Sequence, residues 1–399
     1  MTVRWHFLQT AGPPPEVGNW TGGTDVRTSH RYALTGLAAL TLLAAGCGSS
    51  SSGSSSGGTN WSTVTSAAAG GGMSKLIAAA KKEGTLNVIA LPADWANYGT
   101  IIKDFSAEYG IKVNSIAPDD SSAQEVTQIQ QKNGTSLAAD VLDVGMSVAT
   151  ASTSLFAPYQ VATWSSIPAS QKSPNGQWVQ DYGGYMSVGY NSSKFPSITS
   201  LSQLLGKQFK SAVALNGNPT EANAALNGVM MANLAEGGTA DSIADGVNFF
   251  HKLKAAGNFT PVQATPATIK AGTTPVVFNW DYLNTAAVVG QTNWKVFIPA
   301  NATLGGFYAQ AINKSAPHPA AARLWQEFLY SQAATGGQNL WLEGGARPVE
   351  QAAMTSNGTL NKTAAAALPP VTGTPVFLTQ TQATNAATYL AANWAKAIS

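Results

Sequence analysis

Two short segments of the sequence place a carboxylate beside aromatic side chains. They are Asp94-Trp95-Ala96-Asn97-Tyr98 and Trp280-Asp281-Tyr282. An aromatic face attracts a cation by about 0.5–2 kcal/mol, and a neighbouring carboxylate adds charge-assisted hydrogen bonds. Opposed across a cleft, the two segments are predicted to enclose a small amine. A structural alternative stays open, in which Trp95 packs between a helix and a sheet and Asp94 caps a helix.

Ser121 and Ser122 indicate a second chemistry. The sequence from Ser122 to Glu125 has a capping-box pattern that starts a helix. The free N–H groups at a helix start suit a phosphate, phosphonate or sulfonate. Capping alone also explains Ser122, and the neighbouring Asp119 and Asp120 would repel an anion, so the anionic ligand is the alternative hypothesis.

Arg347 is a further candidate binding residue. It follows two glycines and an alanine and precedes a proline, in the segment Gly344-Gly345-Ala346-Arg347-Pro348. A guanidinium clamps carboxylates and phosphates with two parallel hydrogen bonds. Arg347 is therefore predicted either to reach the ligand or to hold a hinge loop in place.

The sequence argues against metal and enzyme chemistry. His251 falls in a predicted helix and His318 precedes one, so both are interpreted as surface or capping residues and not as metal ligands. The Gly-x-Ser-x-Gly pattern at residues 53–57 lies in a serine-glycine segment, whereas a nucleophile elbow needs a strand before it and a helix after it. We therefore predict that the protein is not an enzyme and has no metal or cofactor.

Alternating strands and helices position these residues. The predicted strands are residues 85–91, 111–116, 139–144, 184–190, 211–215, 274–278, 294–299 and 306–312, and the main helices are residues 76–83, 98–109, 241–256 and 320–330. This alternation predicts an α/β fold with a mostly parallel, helix-covered sheet. Ligands of such sheets bind beyond the carboxyl ends of the strands, which indicates the loops after Leu91, Ile116 and Val144.

The N-terminal region is typical of an export signal. Arg27, His30 and Arg31 precede an apolar stretch, residues 33–45, that ends just before Cys47. The stretch is too short to span a bilayer, which needs about 20 residues. Residues 1–46 are therefore predicted to be removed. The sole cysteine, Cys47, lies in a lipobox-like setting and is predicted to be lipidated, which would place the protein on the outer face of the cell membrane.

Composition excludes some partners. The chain has 22 lysines and arginines against 20 aspartates and glutamates, and only 11% of its residues are charged. Without a basic run, neither a nucleic-acid groove nor a polybasic membrane patch is predicted. Residues 49–58 contain only serine and glycine, a composition typical of a flexible tether.

The order of these features resembles the extracellular solute-binding proteins of ABC importers. The resemblance includes Lys81-Lys82-Glu83-Gly84 before the first strand and Ala311-Ile312-Asn313-Lys314-Ser315-Ala316 before a helix. It is strongest to the branch of polyamine, iron(III), thiamine and phosphonate binders. This implies a two-lobed type 2 periplasmic-binding fold, with a tether at residues 47–73. Lobe I would comprise residues 74–190 and 300–332, and lobe II residues 191–299 and 333–399.

The resemblance also implies a function. A monomer would capture a small polar solute between its lobes, close about a hinge and deliver the solute to permease subunits. The polyamine binders have a Trp-x-x-Tyr in the first loop, which Trp95 and Tyr98 match. Their later Trp-x-Asp corresponds to Gly306-Phe307-Tyr308, which has no acid but offers the Tyr308 hydroxyl. The expected solute is a polyamine-like amine; a phosphonate, an organic anion or iron(III) are alternatives, and a ligand-sensing lipoprotein is an alternative outside transport.

Overall fold

Strands and helices alternate through most of the chain, as predicted. A computed structural model describes residues 59–286 and 293–399. Its helices are α1 (Met73–Glu83), α2 (Tyr98–Tyr109), α3 (Ser122–Gln131), α4 (Met146–Ala151), α5 (Asn223–Ala235), α6 (Ala244–Ala255), α7 (Pro266–Lys270), α8 (Asp281–Ala286), α9 (Pro319–Leu329), α10 (Gly337–Glu343), α11 (Gln351–Asn357), α12 (Lys362–Ala366) and α13 (Gln380–Ala397). Its strands are β1 (Thr85–Ile89), β2 (Lys112–Ile116), β3 (Val141–Gly145), β4 (Phe156–Ala157), β5 (Trp178–Asn191), β6 (Val213–Leu215), β7 (Val276–Trp280), β8 (Trp294–Phe297), β9 (Leu304–Asn313), β10 (Arg347–Pro348) and β11 (Val376–Phe377).

Local sequence sets the ends of the first helices. Gly84 ends α1 with φ 70° and Gly110 ends α2 with φ 68°, a left-handed conformation that glycine adopts at little cost. The capping box of α3 differs from the prediction by one residue. Ser121, not Ser122, is the N-cap, and it exchanges hydrogen bonds with Gln124.

The strands form one connected sheet in two parts that share the long strand β5. In the first part, β1 pairs in parallel with β2 and β3, and β3 pairs with β9 in the antiparallel direction. Residues 178–185 of β5 extend this part by pairing with β9. Residues 186–191 pair instead with β7 and β8, and β6 lies beyond β7. The backbone of β5 therefore passes from one part of the sheet into the other.

The sheet is mixed, which corrects the prediction of mostly parallel strands. Parallel pairs occur within each strand-helix series, as in β1 with β2 and β6 with β7. The strands β5 and β9 run antiparallel to each other. In addition, β5 runs antiparallel to β7, and β9 runs antiparallel to β3. Strand-helix alternation predicts parallel pairing only between strands joined by a helical crossover, so it carries no information on these two strands.

Residues 59–72 pack on the folded body, although the prediction included them in the tether. Trp61 is 6% exposed and belongs to the main hydrophobic core. The buried guanidinium of Arg323 in α9 donates hydrogen bonds to the carbonyl oxygens of Val64 and Ser62, at 2.8 and 3.1 Å. The predicted signal peptide, Cys47 and the serine-glycine segment lie outside the described residues.

The C-terminal helix α13 contacts elements on both parts of the sheet. Its Trp394 packs against Phe250 and Phe259, with ring centroids 5.5 and 6.1 Å apart. At the other end, the Gln380 amide donates to the carbonyl oxygen of Ser147 in α4 at 3.2 Å. Residues 59–399 form one unit by their contacts, so the predicted lobe boundaries stay a prediction. In the part of the chain that is described, every helix is too short or too polar to cross a membrane.

Candidate ligand-binding site

A cavity of about 640 Å³ lies where the carboxyl ends of the strands meet. On one side it is lined by the segments that follow β1, β2 and β3, and on the other by segments that follow β6 and β7. Ala387 of α13 completes the lining. The volume falls in the range of about 300–1,000 Å³ that is typical of sites for small molecules.

The lining of the cavity is rich in carboxylates. The acidic residues are Asp94, Asp119, Asp120, Glu125, Asp143 and Glu221, and no lysine, arginine or histidine is among the described residues that line the cavity. A cleft lined by charge of one sign concentrates ligands of the opposite sign. The electrostatics of this cavity therefore favour a cation.

Asp143 is one of the residues that line the cavity, and its two oxygens have different environments. Its Oδ2 accepts hydrogen bonds from the hydroxyls of Tyr98 and Tyr182, both at 2.9 Å. No N–H or O–H group of the described residues donates to its Oδ1. The side chain is 6% exposed. Burial raises the pKa of this carboxyl above its ordinary value, and the two tyrosine hydrogen bonds partly offset that rise.

The directions of the hydrogen bonds around Asp143 are fixed by two groups that only donate. The indole Nε1 of Trp95 donates to the hydroxyl oxygen of Tyr182 at 2.6 Å. The amide Nε2 of Gln310 donates to the hydroxyl oxygen of Tyr98 at 2.9 Å. Because each tyrosine oxygen already accepts a hydrogen bond, each hydroxyl proton is free to be donated to Asp143. Asp143 Oδ2 is thereby the acceptor in both of its hydrogen bonds with the tyrosines.

Two more carboxyl groups lie beside Asp143 in the protein interior. Asp181 is fully buried; its Oδ2 accepts from Gln310 Nε2 at 2.9 Å and its Oδ1 from the Tyr182 backbone N–H at 2.6 Å. Glu125 is 1% exposed and its Oε2 accepts from the Asp143 backbone N–H at 3.1 Å. Burial, followed by repulsion from Asp143, raises the pKa of both carboxyls well above their ordinary values.

Aromatic rings form the wall next to these carboxyls. Trp95 meets Tyr308 edge to face at 5.8 Å and Tyr282 at 6.2 Å. Tyr308 in turn stacks on Tyr182 at 5.9 Å. Trp95 and Tyr308 line the cavity, so ring surfaces and a carboxylate border the same space, as a cation site requires.

The structure brings some of the predicted residues to the cavity and leaves others elsewhere. Those that line it are Asp94, Trp95, Ser121, Ser122 and Tyr308, and those outside the lining are Tyr98, Trp280, Asp281, Tyr282 and Arg347. Tyr98 acts behind the lining through its bond to Asp143. The segment Trp280-Asp281-Tyr282, predicted to bind the cation from the second side, therefore does not line the cavity, and Asp143 supplies a carboxylate there instead.

Asp281 and Arg347 are paired with each other. The Arg347 guanidinium donates to Asp281 Oδ2 and to the carbonyl oxygen of Pro369, the latter at 2.8 Å. The other oxygen of Asp281 accepts from the Tyr185 backbone N–H at 2.9 Å. Burial raises the pKa of the Asp281 carboxyl, and the Arg347 charge counteracts the rise. Both charges are satisfied within the protein, which explains why neither reaches the cavity.

The serines that suggested an anion site use their hydroxyls inside the protein. Ser121 donates to the Gln124 side chain at 2.8 Å as part of the α3 capping box. Ser122 Oγ accepts from the Gly145 backbone N–H at 3.0 Å. The two hydroxyls therefore serve the fold, and the acidic Asp119 and Asp120 beside them line the same cavity.

Sequence reasoning missed several polar residues of the cavity. They are Asp143, Glu221, Asn216, Asn223 and Asn279. Asp143 and Asn279 each interrupt an apolar strand near its carboxyl end. A buried polar residue at that point of a strand is the signal that would have identified them.

The two histidines that the structure describes each lie within hydrogen-bond distance of an acceptor in the fold. His251 Nδ1 lies 2.9 Å from the carbonyl oxygen of Ala397, and His318 Nδ1 lies 2.8 Å from Asp140 Oδ2. Within residues 59–286 and 293–399, no cluster of histidine, cysteine or acidic side chains has the arrangement of a metal site.

A family model described as a bacterial extracellular solute-binding protein matches residues 140–369. Iron-bound HitA from Pseudomonas aeruginosa has a TM-score of 0.58 and 20% identity over 79% of this chain and 99% of its own. A periplasmic thiamin binding protein has a TM-score of 0.61 and 16% identity over 79% and 96% of the two chains. AgtB from A. tumefaciens R10, in complex with agropinic acid, has a TM-score of 0.61 and 16% identity over 79% and 98%. A search of curated proteins finds no significant match.

Proposed function

This chain belongs to the bacterial extracellular solute-binding protein family, and we propose that the solute it captures is a small cationic amine. Members of this family are the solute-binding components of ABC importers and are not enzymes. The fold is that of the type 2 periplasmic binding proteins. The proposal concerns the identity of the solute and the residues that hold it.

The unpaired oxygen of Asp143 carries the proposal. Asp143 Oδ2 is occupied by two hydroxyl donors, and its Oδ1 receives none from the described residues. A buried carboxylate is costly unless a cation or a hydrogen-bond donor compensates it. An ammonium group supplies both its charge and three N–H donors. A ligand without a donor at this point would leave the oxygen uncompensated.

Trp95 and Tyr308 would bind the cation through their rings. Trp95 is partly exposed at the cavity while its indole N–H is held by Tyr182, so the ring is fixed in orientation. Cation–π attraction contributes about 0.5–2 kcal/mol per contact. The exposed Asp94 next to Trp95 adds negative charge at the rim, which favours the approach of a cation.

An organic anion is the second candidate, and the N-terminus of α5 favours it. This 13-residue helix begins at Asn223 beside the cavity, and its N-cap residue Ala222 makes no side-chain capping bond. Free N–H groups at a helix start attract anions. Six acidic residues in the lining oppose a purely anionic ligand. A ligand with both groups would place its ammonium at Asp143 and its acid group at α5.

We also propose that Cys47 anchors the protein to the membrane through lipid. The small residues before Cys47 and the serine-glycine segment after it support this assignment. Stable anchoring takes two acyl chains or an equivalent second signal. In cell fractionation, the wild-type protein should sediment with membranes and a Cys47→Ser variant should not; equal membrane association of both would overturn the assignment.

The solute proposal is tested by titration calorimetry of residues 59–399 with three ligands of equal length. Putrescine carries two ammonium groups, 1,4-butanediol replaces them by hydroxyls, and succinate replaces them by carboxylates. The proposal expects heat of binding from putrescine and none from succinate, with the diol binding at least about tenfold more weakly, the equivalent of about 1.4 kcal/mol. Binding of succinate in preference to putrescine would overturn it in favour of the organic anion.

A further inference from the structure

More acidic side chains are buried beside the cavity than can be ionised at the same time. Asp143, Asp181 and Glu125 are 6%, 0% and 1% exposed, respectively. Moving even one unpaired carboxylate out of water is so costly that such groups bind a proton instead. If no buried basic side chain lies nearby to balance their charge, these carboxyls must be neutralised by bound protons in the empty protein.

The side chains around Asp143 provide hydrogen bonds but no positive charge. Tyr98 and Tyr182 donate to Asp143, and Gln310 donates to Asp181. The groups that interact with Asp143 come from α2, α3, β5, α8, β9 and the end of α9, and among the described residues they are Tyr98, Glu125, Asp181, Tyr182, Tyr282, Tyr308 and Tyr330. All of them are neutral or acidic. Arg347 is bound to Asp281.

The carboxyls of Asp143 and Asp181 share a hydrogen-bonding neighbour: Tyr182 donates its hydroxyl to Asp143 Oδ2 at 2.9 Å and its backbone N–H to Asp181 Oδ1 at 2.6 Å. Both carboxyls are buried, and no basic side chain of the described residues is paired with either, so ionising both at once would be costly and the empty pair holds a proton. Gln310 lies against the pair: its Nε2 bridges Asp181 Oδ2 and the Tyr98 hydroxyl at 2.9 Å each. The two carboxyls are thus linked through one hydrogen-bond network, and acids that interact in this way titrate as one unit.

We propose that amine binding is linked to proton release from the Asp143–Asp181 pair. In the empty site, protons compensate the negative charge of the pair. When an ammonium reaches Asp143, its positive charge takes the place of a proton, and the O–H bond of the carboxyl breaks. The proton passes to bulk water and the electron pair stays on the carboxylate, so the total charge of the site is unchanged by the exchange.

This inference rests on the proposed function, because it needs an amine that binds at Asp143. It gives that site a pH dependence of defined sign. Proton release on binding means that affinity rises with pH until the empty pair has lost the exchangeable proton. At lower pH the amine must compete with protons, so its affinity falls. The importer would therefore load poorly in acidic surroundings.

Titration calorimetry of residues 59–399 with putrescine tests the linkage. At one pH, the titration is repeated in buffers with small and large enthalpies of ionisation, such as phosphate and Tris. The slope of the observed enthalpy against the buffer enthalpy gives the number of protons transferred. We expect release of up to about one proton per bound amine near neutral pH, and an affinity that falls up to about tenfold per pH unit toward acid.

Two variants locate the source of the proton. Asp94→Asn removes an exposed carboxylate from the same cavity and should leave the proton number unchanged. Asp181→Asn removes one carboxyl of the pair together with its repulsion of Asp143, so the proton number should fall and the pH dependence should move to lower pH. The buffer series on the wild-type protein does not depend on whether this buried variant folds.

The outcomes separate this inference from the proposed function. Putrescine binding with no proton transfer at any pH would overturn the linkage and leave the amine site standing. Unchanged proton release in a folded Asp181→Asn protein would overturn the role of the pair. Absence of putrescine binding over the whole pH range would overturn the proposed function and, with it, the inference.

Discussion

Replacing Asp143 by asparagine removes one charge from the cavity and leaves the shape of the side chain intact. The asparagine oxygen can still accept from the hydroxyls of Tyr98 and Tyr182, which now bind Oδ2 at 2.9 Å. The amide nitrogen then takes the place of Oδ1, where no described group donates in the wild-type protein. An N–H group would thus stand at the position where the proposed ammonium needs an acceptor.

The expected loss of affinity is large. Leaving a buried charge without its partner costs about 2–5 kcal/mol, which corresponds to an increase in Kd of about 30-fold to a few thousand-fold. The free energy of unfolding of the empty protein should increase, even though the affinity for the ligand falls. Because burial raises the pKa of Asp143 in the folded protein, its ionisation destabilises the fold as pH rises above the unfolded pKa of about 3.9. Asp143→Asn should therefore raise the unfolding temperature of the empty protein at neutral pH.

Calorimetric titration with putrescine and thermal unfolding of the same preparations measure the two effects. A gain of about 1 kcal/mol corresponds to roughly 2–4 °C for a protein of this size. The matched control is Asp94→Asn, which changes an exposed carboxylate of the cavity and should cost less than about 1 kcal/mol. Wild-type affinity in Asp143→Asn would refute the reasoning, and so would a loss of affinity accompanied by a lower unfolding temperature, since that pattern indicates structural damage.

Three further predictions concern other parts of the chain. Trp95→Phe keeps a ring but removes the donor to Tyr182, so putrescine Kd should rise about three- to tenfold by calorimetry, and Trp95→Ala should cost more; wild-type affinity in Trp95→Phe would contradict the role of the indole N–H, and equal losses in both variants would contradict the role of the ring. Arg347→Met leaves the buried Asp281 unpaired and should lower the free energy of unfolding by about 3–5 kcal/mol in urea, while the folded fraction binds putrescine normally; weakened binding would place Arg347 in the site. A chain that starts at residue 74 loses the buried Trp61, so its free energy of unfolding should be about 2–3 kcal/mol smaller than that of residues 59–399 and its unfolding temperature lower; equal stability would return residues 59–73 to the tether.

Local sequence signals were sufficient for most elements, whereas helix α5 was missed. Gly84 and Gly110 determine helix ends through their own backbone preferences, so they can be identified without tertiary context. Helix α5 is buried along almost its whole length, from Ala224 to Asn233. A helix that is buried on all sides has no polar face and therefore no amphipathic period to detect.

The candidate site was only partly predictable, because side-chain pairing is a property of the fold. Trp280-Asp281-Tyr282 has the composition of a cation site, but Asp281 is neutralised by Arg347, which lies 66 positions later in the chain. Within the part of the chain that the structure describes, Asp143 has no such basic partner, and it meets Tyr98 and Tyr182 from other elements. The sequence contains the residue types, but long-range pairing decides which carboxylate remains available.

The most direct test of the proposed solute is thermal unfolding of residues 59–399 against polyamines, aminoalkyl-phosphonates, thiamine, sulfonates and ferric citrate. A ligand at about 100 times its Kd stabilises the folded state by roughly 2.7 kcal/mol, which raises the unfolding temperature by several degrees. We predict that ligands with a free ammonium group, and polyamines above all, raise the unfolding temperature. A rise with sulfonates or ferric citrate and none with any amine would contradict the assignment of Asp143 and Trp95 as a cation site.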